Sequence, residues 1–256
     1  MVVLARELTD EAAAYLGDIE KNLERPIFFY PIEQYPRYRA GRLFGIICTK
    51  NNCHEVHIDT SLDRHEFEST VLHEAGHALQ VEQDDTPAIN CKESARTAEA
   101  EELVLLIQST IMDFEVEQKL VKLECHTDLK LRKSAMALFQ GNTQYITKDN
   151  LLSYGANVVQ MARLVLLANL ESTSIFSDEI QQNLLTWPSF FCGDVEVIVN
   201  HVVTTDVTSG KGKVSCYGKI VNVLGLWKTI LIYYGDDKKI RTEKEYDDFE
   251  SHYHKE

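Results

Sequence analysis

Positive charge is scarce in this chain. Lysine and arginine total 26 against 40 acidic residues, a formal charge of −14 over 256 residues. That balance argues against nucleic acid and against anionic membrane surfaces, since both attract basic patches. The six cysteines, at 48, 53, 91, 125, 192 and 216, include no C-x-x-C pair. Met1 to Leu16 carries Arg6, Glu7, Asp10 and Glu11 and no long apolar run, so no signal peptide is read there. Free thiols in a reducing cytoplasm are therefore expected rather than a disulfide framework. No window of membrane-spanning length runs apolar without charged or polar interruption, so no membrane span is expected. Repeats and low-complexity segments are missing as well. What remains is a 44% hydrophobic chain, able to bury a sizeable core as one large domain or two small ones.

The stretch that stands out is Val71-Leu72-His73-Glu74-Ala75-Gly76-His77-Ala78-Leu79. On a helix, His73 and His77 project from one face and can grip a single metal ion. Glu74 lies about 100° further round, at the ion's edge, where a general base acting on an activated water belongs. The run Asp63-Arg64-His65-Glu66 reads as a capping box with Asp in the Ser/Thr place. Phe67, Val71, Ala75 and Ala78 then form an apolar stripe, with His73, His77, Thr70 and Gln80 opposite. Gly76 is a weak helix former, and its expected use is close approach of another backbone. A second cluster, Cys48, Cys53, His54 and His57, matches no standard zinc spacing.

Around this motif the chain reads as follows. Thr9 to Glu24 is a helix capped by Thr9. Strands are expected at Ile27–Tyr30, Leu43–Thr49 and His54–Asp59, the last bordering the site and able to pair with an extended peptide. Asp84 to Asn90 reads as a loop. Lys92 to Glu124 is a long helix, and Leu151 to Leu170 a buried one opened by Thr147 or Asp149. Trp187-Pro188 marks a break that separates 1–187 from 188–256. Helical spacing resumes over 195–203 and over 214–224, begun by Thr208 or Ser209. A hairpin spans 229–242, and a charged tail, read as frayed, closes the chain. The fold class is α+β and mostly helical: a small mixed or antiparallel sheet near the N-terminus, packed on the metal helix and a buried helical bundle.

Catalytic zinc needs a third protein ligand. Gln80 and Gln83 occupy the Gly and His positions of the metzincin extension and exclude that pattern. A carboxylate of the long helix is left, where Glu99, Glu102, Asp113 and Glu117 share one stripe. Asp113 and Glu117 stand among Ile111, Met112, Phe114 and Val116, where a carboxylate is costly unless paired or bound to metal. Asp113 is favoured as ligand, with Glu117 accepting a ligand histidine's free N–H. The reverse order, Glu99, Glu102, and a stripe salt-bridged to Lys119, Lys122 or Arg132 all stay open.

At this point the chain, over about Ile27 to Leu123, resembles the zincin metallopeptidases. Its two-His-plus-carboxylate plan is similar to the gluzincin branch, including small cytoplasmic ImmA/IrrE-type proteins. That branch places its third ligand in a Glu-x-x-x-Asp run; here Asp113-Phe114-Glu115-Val116-Glu117 has the two acids exchanged. The resemblance implies Zn2+ as cofactor, a peptide or protein substrate, and hydrolysis with Glu74 as general base. Oxyanion donors are sought among His126, Tyr145, Tyr154 and His201. The competing readings are a zincin-like regulatory or binding protein with a structural or sensory metal, and a helical interaction protein whose motif is accidental.

Overall fold

The structure is a computed structural model, and it describes residues 1–36, 44–82, 87–123, 148–170, 187–234 and 238–253. The fold is α+β and mostly helical, as the hydrophobic patterning implied. The chain forms two compact units: Met1–Asp84 with Val116–Lys130, and Asp85–Glu115 with Leu131–Glu256. Residues 188–256 fall within the second unit, together with Asp85–Glu115.

In the first unit, β1 (Val2–Val3) and β2 (Arg6–Glu7) form a minute hairpin. Leu4 and Ala5 turn it with φ of 48° and 63°. Such a turn favours Asn or Gly, so a Leu-Ala pair gave no sequence signal. Helix α1 (Asp10–Asn22) is capped as expected, the Thr9 side chain accepting from the Ala12 N–H at 3.4 Å. Strands β3 (Ile27–Pro31), β4 (Gly45–Thr49) and β5 (His54–Ile58) form a mixed sheet in the order β3-β5-β4. β4 and β5 are an antiparallel hairpin, and β3 pairs with β5 in parallel. The strand bordering the motif is therefore the edge strand β4, not the last strand β5 as expected. The hairpin leaves β4 outermost, and a Cβ at Gly45 would come within 2.6 Å of Thr70 and 2.8 Å of Glu74.

Helix α2 (Arg64–Glu82) begins where Asp63 Oδ1 accepts from the Glu66 N–H at 2.8 Å. Phe67, Val71 and Ala75 join the core of the first unit with Leu16, Ile19, Val56 and Ile58. Burial continues around the helix, so the histidine face is not the solvent face: His73 is 4% and Glu74 6% exposed. Gly76 makes its close approach to a side chain rather than a backbone, since a Cβ there would stand 2.9 Å from Val116 Cγ1.

The end of α2 is tied down by Glu82. It accepts from His54 Nε2 at 2.8 Å and from the N–H groups of Glu24 and Arg25, while His54 Nδ1 pairs with Thr49 Oγ1 at 2.9 Å. Burial alone would raise this carboxyl's pKa, but the His54 bond and the two backbone bonds together hold it below its ordinary value of 4.5. A depressed carboxyl contributes stability that is present above its unfolded value and lost as pH falls through the folded one. Glu82→Gln is thus expected to melt lower than the native protein at pH 7. The gap between the two melting curves should narrow as pH falls below about 4.5, and a gap that does not shrink with acid would refute the assignment.

Helix α3 (Ala98–Lys122) starts later than expected, at a Thr97 cap whose Oγ1 accepts from the Ala100 N–H at 3.2 Å. Residues 93–95 form a single 3-10 turn instead. The division between the units falls inside this one unbroken helix, between Glu115 and Val116.

The second unit holds β6 (Ala88–Cys91), α4 (Leu151–Leu170), α5 (Ser189–Thr204), α6 (Gly210–Val223), β7 (Ile230–Tyr234), β8 (Lys238–Ile240) and α7 (Glu243–Tyr253). Its core gathers Leu103, Ile107, Ile111, Phe114, Val158, Ala162, Ile198, Tyr217 and Ile220. The expected loop before α3 contains β6, which pairs antiparallel with β7. The terminal hairpin is thereby a three-stranded sheet in the order β6-β7-β8. The tail read as frayed is helix α7: Thr242 Oγ1 accepts from the Glu245 N–H at 3.2 Å, and Tyr246 packs over Gly218. Asn150, rather than Asp149, caps α4, its Oδ1 accepting from the Ser153 N–H at 3.2 Å; Thr147 lies outside the described residues. Ser209 caps α6 as expected. Among the described residues, α4 alone is long and apolar enough to cross a membrane by length and composition, though Arg163 and several polar residues interrupt it. In this structure its apolar side chains, Val158, Val159, Leu164 and Leu166 among them, are core residues.

Candidate metal centre

The motif acquires its geometry from α2 and from the acid-rich part of α3. Residues four apart on a helix share a face, whereas residues two apart point about 200° away from each other. The three acids of Asp113-Phe114-Glu115-Val116-Glu117 are sorted accordingly. Glu115 pairs with Lys213 of α6 at 3.0 Å, both side chains 1% exposed. Asp113 and Glu117 look the other way, one turn apart.

Glu117 Oε1 lies 2.7 Å from His73 Nδ1, and Gln80 Oε1 lies 2.7 Å from His77 Nδ1. A neutral imidazole has one N–H and one lone pair. With each Nδ1 proton donated to an oxygen, both Nε2 atoms present lone pairs. These two nitrogens stand 3.1 Å apart, with the rings edge to face at 88°. Two lone pairs at that distance repel unless a cation lies between them. Nitrogens about 2.0–2.1 Å from a tetrahedral zinc are separated by roughly 3.3 Å, close to the observed spacing.

His73, His77 and Asp113 form a group that can hold a metal ion, with one ligand atom from each lying within 4.8 Å of the others. The donor set suits zinc: two imidazoles and a carboxylate, with histidines oriented by acceptors on their far nitrogens. Asp113, 5% exposed, is also engaged by Arg163 of α4, whose Nη2 donates to Oδ2.

The choice among α3 acids is thereby narrowed. Glu99 and Glu102 are exposed on the helix's opening turns and are solvated. Glu117 meets the Nδ1 atom of His73. Asp113 is paired with Arg163 of α4; Arg132 lies outside the described residues. Glu74 is buried beside β4, its carboxylate adjoining Gly45, which has no side chain to displace it.

Two of the oxyanion candidates are committed elsewhere. The Tyr154 hydroxyl donates to Asp194 at 2.5 Å, and His201 Nε2 pairs with Ser215 Oγ at 2.8 Å. His126 and Tyr145 lie outside the described residues. Of the second cluster, His54 has both ring nitrogens engaged, by Thr49 and Glu82.

Sequence reading missed Gln80 and Arg163. Gln80 had a local signal, standing three residues after His77 on the same helical face. Arg163 had none, being brought to Asp113 from 50 positions downstream. No family model matches the chain, and neither a curated protein nor a solved structure matches it.

Proposed function

We propose that the protein is a zinc-dependent metallopeptidase. The observation that supports this most is the pair of Nε2 atoms 3.1 Å apart, with an oxygen 2.7 Å from the Nδ1 of each imidazole. A buried acid of α3, Asp113, offers a third donor beside the two imidazoles of α2. His73, His77 and Asp113 would hold the metal. When bound, zinc supplies a Lewis acid that makes water acidic near neutral pH and polarises a carbonyl.

The remaining work falls to this chain's own groups. Glu117 and Gln80 keep each imidazole in the tautomer that offers Nε2. Glu74 takes the proton from the attacking water and passes it to the leaving amine, the two halves of general base and acid catalysis. Its burial beside β4 holds the carboxylate in one place and limits bulk water around it. The edge of β4 offers backbone groups with which an extended peptide can pair. We assign the protein to a reducing, cytoplasmic setting. Cys53 and Cys216 are buried, and burial pushes the Cys216 thiol up to about 12, an inert form.

The test is cleavage of a quenched-fluorescence peptide library by tag-free protein. Hydrolysis should vanish on chelation and return with zinc. A protein that holds stoichiometric zinc and cleaves no library member would instead be a regulatory or binding protein with a metal centre.

A further inference from the structure

Helix α4 is an apolar element of 20 residues, Leu151–Leu170, with one charged side chain, Arg163. Its neighbours Ala162 and Leu164 are 0% and 1% exposed, and both belong to the core of the second unit. The Arg163 side chain is 30% exposed, so what sets it apart is not burial but the partner it reaches from an otherwise uncharged helix. Its partner is the Oδ2 atom of Asp113, itself 5% exposed. The lone cation of α4 is therefore placed on the one carboxylate that stands with His73 and His77 in the metal-holding group.

We propose that Arg163 is a positioning residue for the metal centre, holding Asp113 by one oxygen so that it ligates through the other alone. The inference rests on the zinc reading above and adds a role for the C-terminal half of the chain, which had no assigned part in the site. A carboxylate left to itself can bind a metal through one oxygen or both. With Oδ2 engaged by a guanidinium, two-oxygen binding has to share that oxygen's electron density with a charge-assisted hydrogen bond, which favours ligation through the other oxygen. One-oxygen ligation beside two imidazoles gives a three-ligand site with a place left for water, the arrangement of catalytic zinc. The pairing has a second consequence. Asp113 keeps a fixed rotamer before metal arrives, so less side-chain freedom is lost on binding.

Lys213 acts on the same helix from the opposite side. By holding Glu115 at 3.0 Å it fixes the rotation of α3 within the second unit, and with it the direction of Asp113. Arg163 then sets the carboxylate itself.

The experiment is Co2+ and Zn2+ binding by tag-free native protein, Arg163→Gln and Arg163→Lys. Zinc affinity is read by competition with a chromophoric chelator, and coordination by the visible d–d absorption of Co2+. For R163Q, zinc affinity should fall by about 10- to 100-fold, the usual effect of losing a group that orients a ligand. Its Co2+ absorption should also weaken and shift, as four-coordinate metal becomes five-coordinate. R163K, with the charge but not the planar guanidinium, should fall between the two. An R163Q protein with native or tighter zinc affinity, or with the native Co2+ spectrum, overturns the inference. Should R163Q fail to fold, R163K is read against the same criteria, and native affinity or spectrum there overturns it equally. Failure of the native protein to take either metal would be a different result, removing the zinc reading itself.

Discussion

Glu74→Gln is expected to bind zinc as the native protein does and to hydrolyse peptides about 10²- to 10⁴-fold more slowly, the range spanned by general acid–base catalysis. The substitution keeps size and shape, so the close packing against Gly45 and Thr70 is unchanged. The ligand nitrogens are untouched, because His73 and His77 take their orientation from Glu117 and Gln80. What is lost is a group able to accept a proton and give it back. The loss should appear in kcat with little change in KM, as expected of a group that, in the proposed mechanism, acts on the water rather than on substrate binding. Zinc content and turnover measured on one preparation separate the outcomes. A Gln variant with full activity would remove Glu74 from the proton path.

The second large effect concerns the fold behind the centre. Lys213→Met is expected to lower stability by about 3–5 kcal/mol, the cost of leaving a buried charge without its counter-ion. Both side chains of the Lys213–Glu115 pair are 1% exposed, so water cannot take the place of the missing ammonium. Replacing both partners by apolar residues of similar volume, Lys213→Met with Glu115→Leu, should recover most of the loss, because the uncompensated charge then disappears too. Urea denaturation of the three proteins gives the coupling directly. A single variant within 1 kcal/mol of native would show that the pair is not the buried contact described here.

Local signals told most of the helical frame. Thr9, Asp63 and Ser209 cap helices where their side chains suggested they would, and the HExxH spacing placed His73 and His77 on one face. The burial argument for Asp113 and Glu117 rested on their apolar neighbours, and it separated them from the exposed Glu99 and Glu102. What escaped were features whose partners are distant in sequence. β6 exists because Ala88–Cys91 pairs with Ile230–Tyr234, and four residues carry too little periodicity to announce a strand alone. α7 is charged along most of its length, yet Tyr246 anchors it over Gly218, a contact no local pattern encodes. Arg163 carries no local signal, since its partner Asp113 lies 50 positions away in the chain. The order β3-β5-β4 was equally hidden, since hairpin and crossover connections give the same run of strands along the chain.

The claim on which everything else depends is that this chain carries zinc between His73 and His77. Elemental analysis of protein purified without a histidine tag, in parallel with His77→Ala, measures it. The expected result is stoichiometric zinc in the native protein and none in the variant. Native protein that is free of metal and takes up no zinc at micromolar concentration would contradict it.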